Sequence, residues 1–160
     1  ISACLVGSEM CIRDSKCTLR RVAASRSDPG HARGSGEVGW HQDGAFMGLD
    51  IRTLDVWLSL SSCGRDAAGL DIVSRRLDEI VETGTTGARY DWTVAPDVAE
   101  RAAQGSIVSP LFEPGDALLF DHLLLHRTSL HPGMVRDRYA IETWFAAASS
   151  YPCDQLPMAY

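Results

Sequence analysis

Four residues set far apart constrain the fold of this chain more than any local pattern does. His41 and Asp43 lie two apart in the run Trp40-His41-Gln42-Asp43-Gly44. His126 follows 85 positions after His41, and Arg138 comes soon after that. On an extended strand, residues two apart share a face, so His41 and Asp43 can present imidazole and carboxylate to one side. Two imidazoles and one carboxylate on one side of a metal leave the opposite positions open, the arrangement of non-haem Fe(II) oxygenases. A fold that uses His126 as the third ligand must therefore bring the chain back across those 85 residues. Arg138, with a rigid and always-charged fork, suits the far carboxylate of an organic acid.

Short strands with frequent turns supply such a fold. Thr53 to Leu60 alternates cleanly: Leu54, Val56, Leu58 and Leu60 on one face, Asp55, Trp57 and Ser59 on the other. This is the period of a half-buried strand, and the face bearing Trp57 suits the wall of a ligand pocket. Further strands are expected at Thr18–Ala23, Val38–Asp43, Gly69–Val73, Ala117–Phe120 and Arg138–Phe145. Ser25–Gly36 and Glu82–Tyr90 read as loops, and Ser74–Val81 as a turn and short helix. Pro96–Gln104 reads as a helix with Pro96 and Asp97 in its first turn. Pro114-Gly115-Asp116 and His131-Pro132-Gly133 are turns. The expected fold is mainly β, a jelly-roll barrel with one or two short helices, in which inward residues alternate along each strand.

Three blocks of the chain carry a resemblance. Trp40-His41-Gln42-Asp43-Gly44-Ala45-Phe46 resembles the metal-binding segment of the phytanoyl-CoA dioxygenase family. Gly115-Asp116-Ala117-Leu118-Leu119-Phe120-Asp121, followed by Leu124-Leu125-His126-Arg127-Thr128, resembles that family's strand with the distal histidine. Arg138-Tyr139-Ala140 resembles its arginine segment. The blocks come in family order and with family-like spacing, and the resemblance runs from about Thr18 to the end.

The resemblance implies an Fe(II)- and 2-oxoglutarate-dependent dioxygenase on a double-stranded β-helix, a cupin-like barrel. It implies that His41, Asp43 and His126 are the catalytic iron ligands and that Arg138 clamps 2-oxoglutarate. Thr128 matches a small hydroxyl residue that contacts the cosubstrate, and Trp57 a tryptophan lining the same pocket. O2 would be consumed, with succinate and CO2 as coproducts and a small organic metabolite hydroxylated. Related halogenases have a small residue where Asp43 stands, so Asp43 favours C–H oxidation. Nothing marks a CoA site. The family normally has more chain before its His-x-Asp segment, including an outer strand of one sheet, and the resemblance therefore implies an N-terminally truncated domain.

The start of the chain reads as foreign. Residues 5–15, Leu5 to Ser15, resemble the translation of a transposon-end adapter used in sequencing libraries. Residues 1–15 are accordingly expected to be non-native and 16–160 to be the dioxygenase domain, incomplete at its N-terminus. The whole chain carries a formal net charge of −6, and it stays acidic without that segment. An acidic balance disfavours nucleic acid and anionic membranes as partners, and no apolar run is long enough to span a bilayer. The partner expected is a small-molecule substrate. Outside the first fifteen or so residues, Cys17, Cys63 and Cys153 form an odd, widely spaced set. They read as free thiols in a reducing compartment, which places the protein in the cytoplasm.

Other candidates have plainer readings. Arg136 competes with Arg138 but lies in the preceding turn, where it is expected to be solvated. Gln42 and Phe46 either face substrate or brace the metal segment. His31 and His131 sit in Gly/Pro-containing loops, and His122 lies on an extended segment. Glu142 shares the phase of Arg138, so if it points inward it must be paired or hydrogen-bonded. Two alternatives to an oxygenase remain. One is a cupin-like metal- or ligand-binding module that does not need Arg138. The other is an inactive fragment of an enzyme.

Overall fold

The computed structural model describes residues 13–24, 38–48 and 51–146. The expected loop at Ser25–Gly36, His31, Cys153 and most of the adapter-like segment lie outside them. Among the described residues are seven strands and two helices: β1 (Arg13–Val22), α1 (Gly44–Met47), β2 (Thr53–Ser59), β3 (Gly69–Val73), α2 (Pro96–Ala103), β4 (Ile107–Val108), β5 (Ala117–Asp121), β6 (His126–Ser129) and β7 (Arg138–Ala146).

The strands form two antiparallel sheets, one in the order β1-β7-β2-β5 and one in the order β4-β3-β6. His41 adds a bridge to His126 at the start of β6, and Trp40 bridges Val94. This is the double-stranded β-helix. The strand expected at Thr18–Ala23 is β1, which pairs with β7 from Arg13↔Ala146 to Val22↔Arg138. It begins earlier than Thr18, inside the segment that resembles an adapter.

The inner face of the four-stranded sheet is unusually polar. Along β2 the buried residues are Thr53, Asp55, Trp57 and Ser59, whereas Leu54 and Leu60 are exposed. Along β7 the inward series is Arg138, Ala140, Glu142, Trp144 and Ala146. Register sets Trp57 beside Glu142 and Asp55 beside Trp144. Apolar packing seals the barrel around this polar interior. Trp57, Leu70, Phe112, Phe120 and Ala140 join the two sheets. Val94, Val98, Ala99 and Ala103 anchor α2 against Trp40, Val73 and Leu125. Helix α2 starts with Pro96, whose missing N–H costs nothing there. It ends at Gln104, in the left-handed region with φ 51°.

Two expectations are corrected. Ser74–Val81 forms bends and no helix, because its backbone groups are recruited by other segments: Ser74 N–H donates to Ser106 and Val81 N–H to Gln42 Oε1. His122 lies in the turn after β5 rather than on an extended segment.

Candidate metal centre and cosubstrate cavity

His41 closes an extended stretch, but Asp43 does not continue it. Asp43 has φ −62° and ψ −30° and caps α1. The two side chains converge because the chain turns at Asp43, not because they share a strand face. Gln42, fully buried, fixes that turn. Its amide donates to Leu123 O at 2.7 Å and Glu79 O at 3.1 Å, and its Oε1 accepts from Val81 N–H at 2.8 Å. Gly44 N–H donates to His122 O at 3.0 Å. Gln42 thus braces the segment, and Phe46 is exposed and packs on Trp92.

His41, Asp43 and His126 are brought together and buried, with one donor atom from each within 4.8 Å of the others. His41 Nε2 lies 3.5 Å and His126 Nε2 3.9 Å from Asp43 Oδ1. Ligands about 2.1 Å from a metal and at right angles stand about 3 Å apart, so a small contraction would bring the three onto one ion.

The surroundings orient each donor. His41 Nδ1 lies 2.8 Å from Gly39 O, and His126 Nδ1 3.0 Å from Leu124 O. A carbonyl only accepts, so each Nδ1 carries the proton and each Nε2 lone pair faces Asp43. Trp144 Nε1 donates to Asp43 Oδ2 at 2.6 Å, which leaves Oδ1 for a metal. Burial, with the His126 ring alongside, pushes His41 down to about 3 and keeps it the neutral imidazole that a metal needs. The donor set therefore fits a divalent iron.

Arg138 points into the same interior from the far end of β7. It is 2% exposed, and its Nε and Nη1 are buried without a hydrogen-bond acceptor among the described residues. Its guanidinium lies 5.4 Å from the Trp57 ring. Burial pulls its pKa below the ordinary value, yet an arginine stays charged. A buried charge is costly unless paired, so this one calls for an anion. Arg136 is instead exposed and reaches Asp66 at 3.5 Å.

One small cavity of about 30 Å³ is lined by His41 and His126 together with Arg138, Thr128, Trp57, Arg20 and Glu142. All the residues expected to touch a cosubstrate face it. It has room for ordered water. Glu142 does point inward, and it is paired with Arg20 of β1. His131 is exposed, and His122 contributes its carbonyl, not its ring, behind the metal loop.

Trp144, which bonds Asp43, and Arg20, which lines the cavity, were not singled out by motif reading. Trp144 and Glu142 shared the Arg138 phase, which was the available signal. Arg20 lies on a strand whose pairing to β7 no local pattern reveals.

The family model for phytanoyl-CoA dioxygenase (PhyH) matches residues 14–131, about three quarters of the chain. The chain belongs to the phytanoyl-CoA dioxygenase family. The match stops before β7, so Arg138 rests on geometry.

Solved structures of the same fold include EctD from S. alaskensis in its apoform, at TM-score 0.63 and 17% identity, covering 93% of this chain and 50% of that one. EctD with 2-oxoglutarate and 5-hydroxyectoine gives TM-score 0.62 at 18% identity, covering 87% and 45%. EvdO2 from Micromonospora carbonacea var. aurantiaca, complexed with 2-oxoglutarate, gives 0.56 at 18% identity, covering 90% and 52%. The chain thus spans about half the length of these proteins. No curated protein sequence gives a significant match. Among the described residues no helix is long and apolar enough to cross a membrane.

Proposed function

We propose that this chain carries the catalytic barrel of an Fe(II)- and 2-oxoglutarate-dependent oxygenase that hydroxylates a small organic metabolite. The observation that carries the reading is the pairing of a buried His41–Asp43–His126 donor set with the buried guanidinium of Arg138, whose Nε and Nη1 have no hydrogen-bond acceptor among the described residues, on the wall of one cavity. Neither feature has a structural reason to accompany the other, and a chelating 2-oxo diacid needs both. EctD and EvdO2, of like fold, have been crystallised with 2-oxoglutarate.

His41 Nε2, His126 Nε2 and Asp43 Oδ1 would hold Fe(II), which supplies O2 activation coupled to conversion of 2-oxoglutarate into succinate and CO2. The protein supplies position and electrostatics. Arg138 would receive the carboxylate remote from the metal, in the fork geometry that guanidinium and carboxylate share. Thr128, on the face of β6 that bears His126, offers a hydroxyl to the same molecule. Trp57 packs on Arg138 and keeps water from it. Trp144 holds Asp43 so that one oxygen faces the ion. Because Asp43 retains its carboxylate, the position a halide would need is occupied and C–H hydroxylation is favoured.

The test is aerobic turnover with Fe(II) and 2-oxoglutarate against a panel of small metabolites. Succinate should form, faster with a true substrate, and His41→Ala and Asp43→Ala should abolish it. A chain that binds Fe(II) and 2-oxoglutarate tightly yet forms no succinate with any compound would instead be a binding module.

A further inference from the structure

The carboxylate of Glu142 stands where an anion-binding cavity should not have one. It is the one carboxylate among the described residues lining the cavity shared by His41, His126 and Arg138. On β7 it lies between Trp144, which holds Asp43, and Arg138. A molecule reaching from the metal donors to Arg138 must pass it. Left bare, it would repel a dianion, since like charges at close range in a buried site oppose each other strongly.

The structure answers that charge from the neighbouring strand. Thr18, Arg20 and Val22 form the inward face of β1, where register sets Thr18 beside Glu142 and Arg20 beside Ala140. Arg20 Nε and Glu142 Oε2 form a close ion pair without hydrogen-bond geometry, and both atoms are shielded from solvent. With the pair closed, its charges cancel. Arg138 contributes one positive charge, and a divalent ion with Asp43 contributes one more. That balance fits a molecule with two negative charges.

Resting on the oxygenase reading above, we propose that Arg20 is a positioning residue that neutralises Glu142 and so makes this cavity selective for a 2-oxo acid with two carboxylates. Arg20 acts through Glu142 and does not itself touch the cosubstrate.

The test is calorimetric binding to the metal-loaded chain without O2, for 2-oxoglutarate and for pyruvate, a 2-oxo acid with one carboxylate. Arg20→Met keeps much of the aliphatic stem and should weaken 2-oxoglutarate roughly tenfold or more, but pyruvate far less, because the exposed Glu142 charge acts on the second carboxylate. Glu142→Gln should bind 2-oxoglutarate at least as tightly as the parent, and it decides the matter if Arg20→Met melts early. The double variant should return to within about threefold of the parent, since both charges are gone. A double variant as weak as Arg20→Met, equal losses for the two acids, or weaker binding by Glu142→Gln would overturn the proposal. A parent chain that binds metal but no 2-oxo acid would fail the oxygenase reading instead.

Discussion

At the scale of single residues, the site depends on side chains that touch no ligand. Trp144 spends its indole N–H on Asp43 Oδ2 at 2.6 Å. Trp144→Phe should keep the packing and lose that bond, and partners of this kind are typically worth 10- to 100-fold in metal affinity. A competition titration with a chelator checks this, and unchanged affinity would show that Asp43 is held by other means. Asp55 is fully buried directly opposite Trp144 in the β2–β7 register. Burial, reinforced by the Asp43 carboxylate, pushes its carboxyl up to about 8. The folded chain therefore holds a proton that the unfolded chain releases near pH 4. Its contribution to stability is complete below that pH and is lost as pH rises through about 8. The metal-free chain should melt about 5 °C or more lower at pH 9 than at pH 5, and Asp55→Asn should flatten that slope. An equal slope in the variant would assign the dependence to other groups.

At the scale of elements, the metal loop depends on one close approach. A Cβ on Gly44 would lie 2.9 Å from both His122 Cδ2 and Ile80 Cδ1, and 3.2 Å from His122 O. Gly44→Ala must push α1 away from the turn after β5, and α1 carries Asp43 at its cap. A cost of about 1–3 kcal/mol is expected, with weaker metal binding, read by thermal melting with and without Fe(II). Stabilisation by metal equal to that of the parent would mean the loop adjusts without moving Asp43. The elements also show what sequence conveys. The alternation in β2 and the phase of β7 were legible because period two is local, and Gly69–Val73 was bounded as observed. The helix expected at Ser74–Val81 failed because side-chain and backbone partners distant in sequence claim its hydrogen bonds. The convergence of His41 and Asp43 was legible, but its cause was not, since the turn at Asp43 is fixed by Gln42 reaching Leu123 and Glu79.

At the scale of the whole molecule, the barrel inverts the ordinary placement of polar and apolar residues on its larger sheet. Leu19, Leu54, Leu60, Leu119 and Tyr139 face outward, whereas Asp55, Glu142 and Arg138 face in. Alternation alone does not say which face is inside; only the position of Trp57 and the motif residues did. The interior charges make sense together as a lining for one charged, metal-chelating molecule. The most direct test of that claim is an anaerobic titration of the Fe(II)-loaded chain with 2-oxoglutarate, followed by visible absorption. The expected result is a saturable charge-transfer band at one equivalent, absent in Asp43→Ala and shifted to much higher 2-oxoglutarate concentration in Arg138→Met. A chain that takes up Fe(II) but develops no band, or one in which Arg138→Met saturates like the parent, would contradict it.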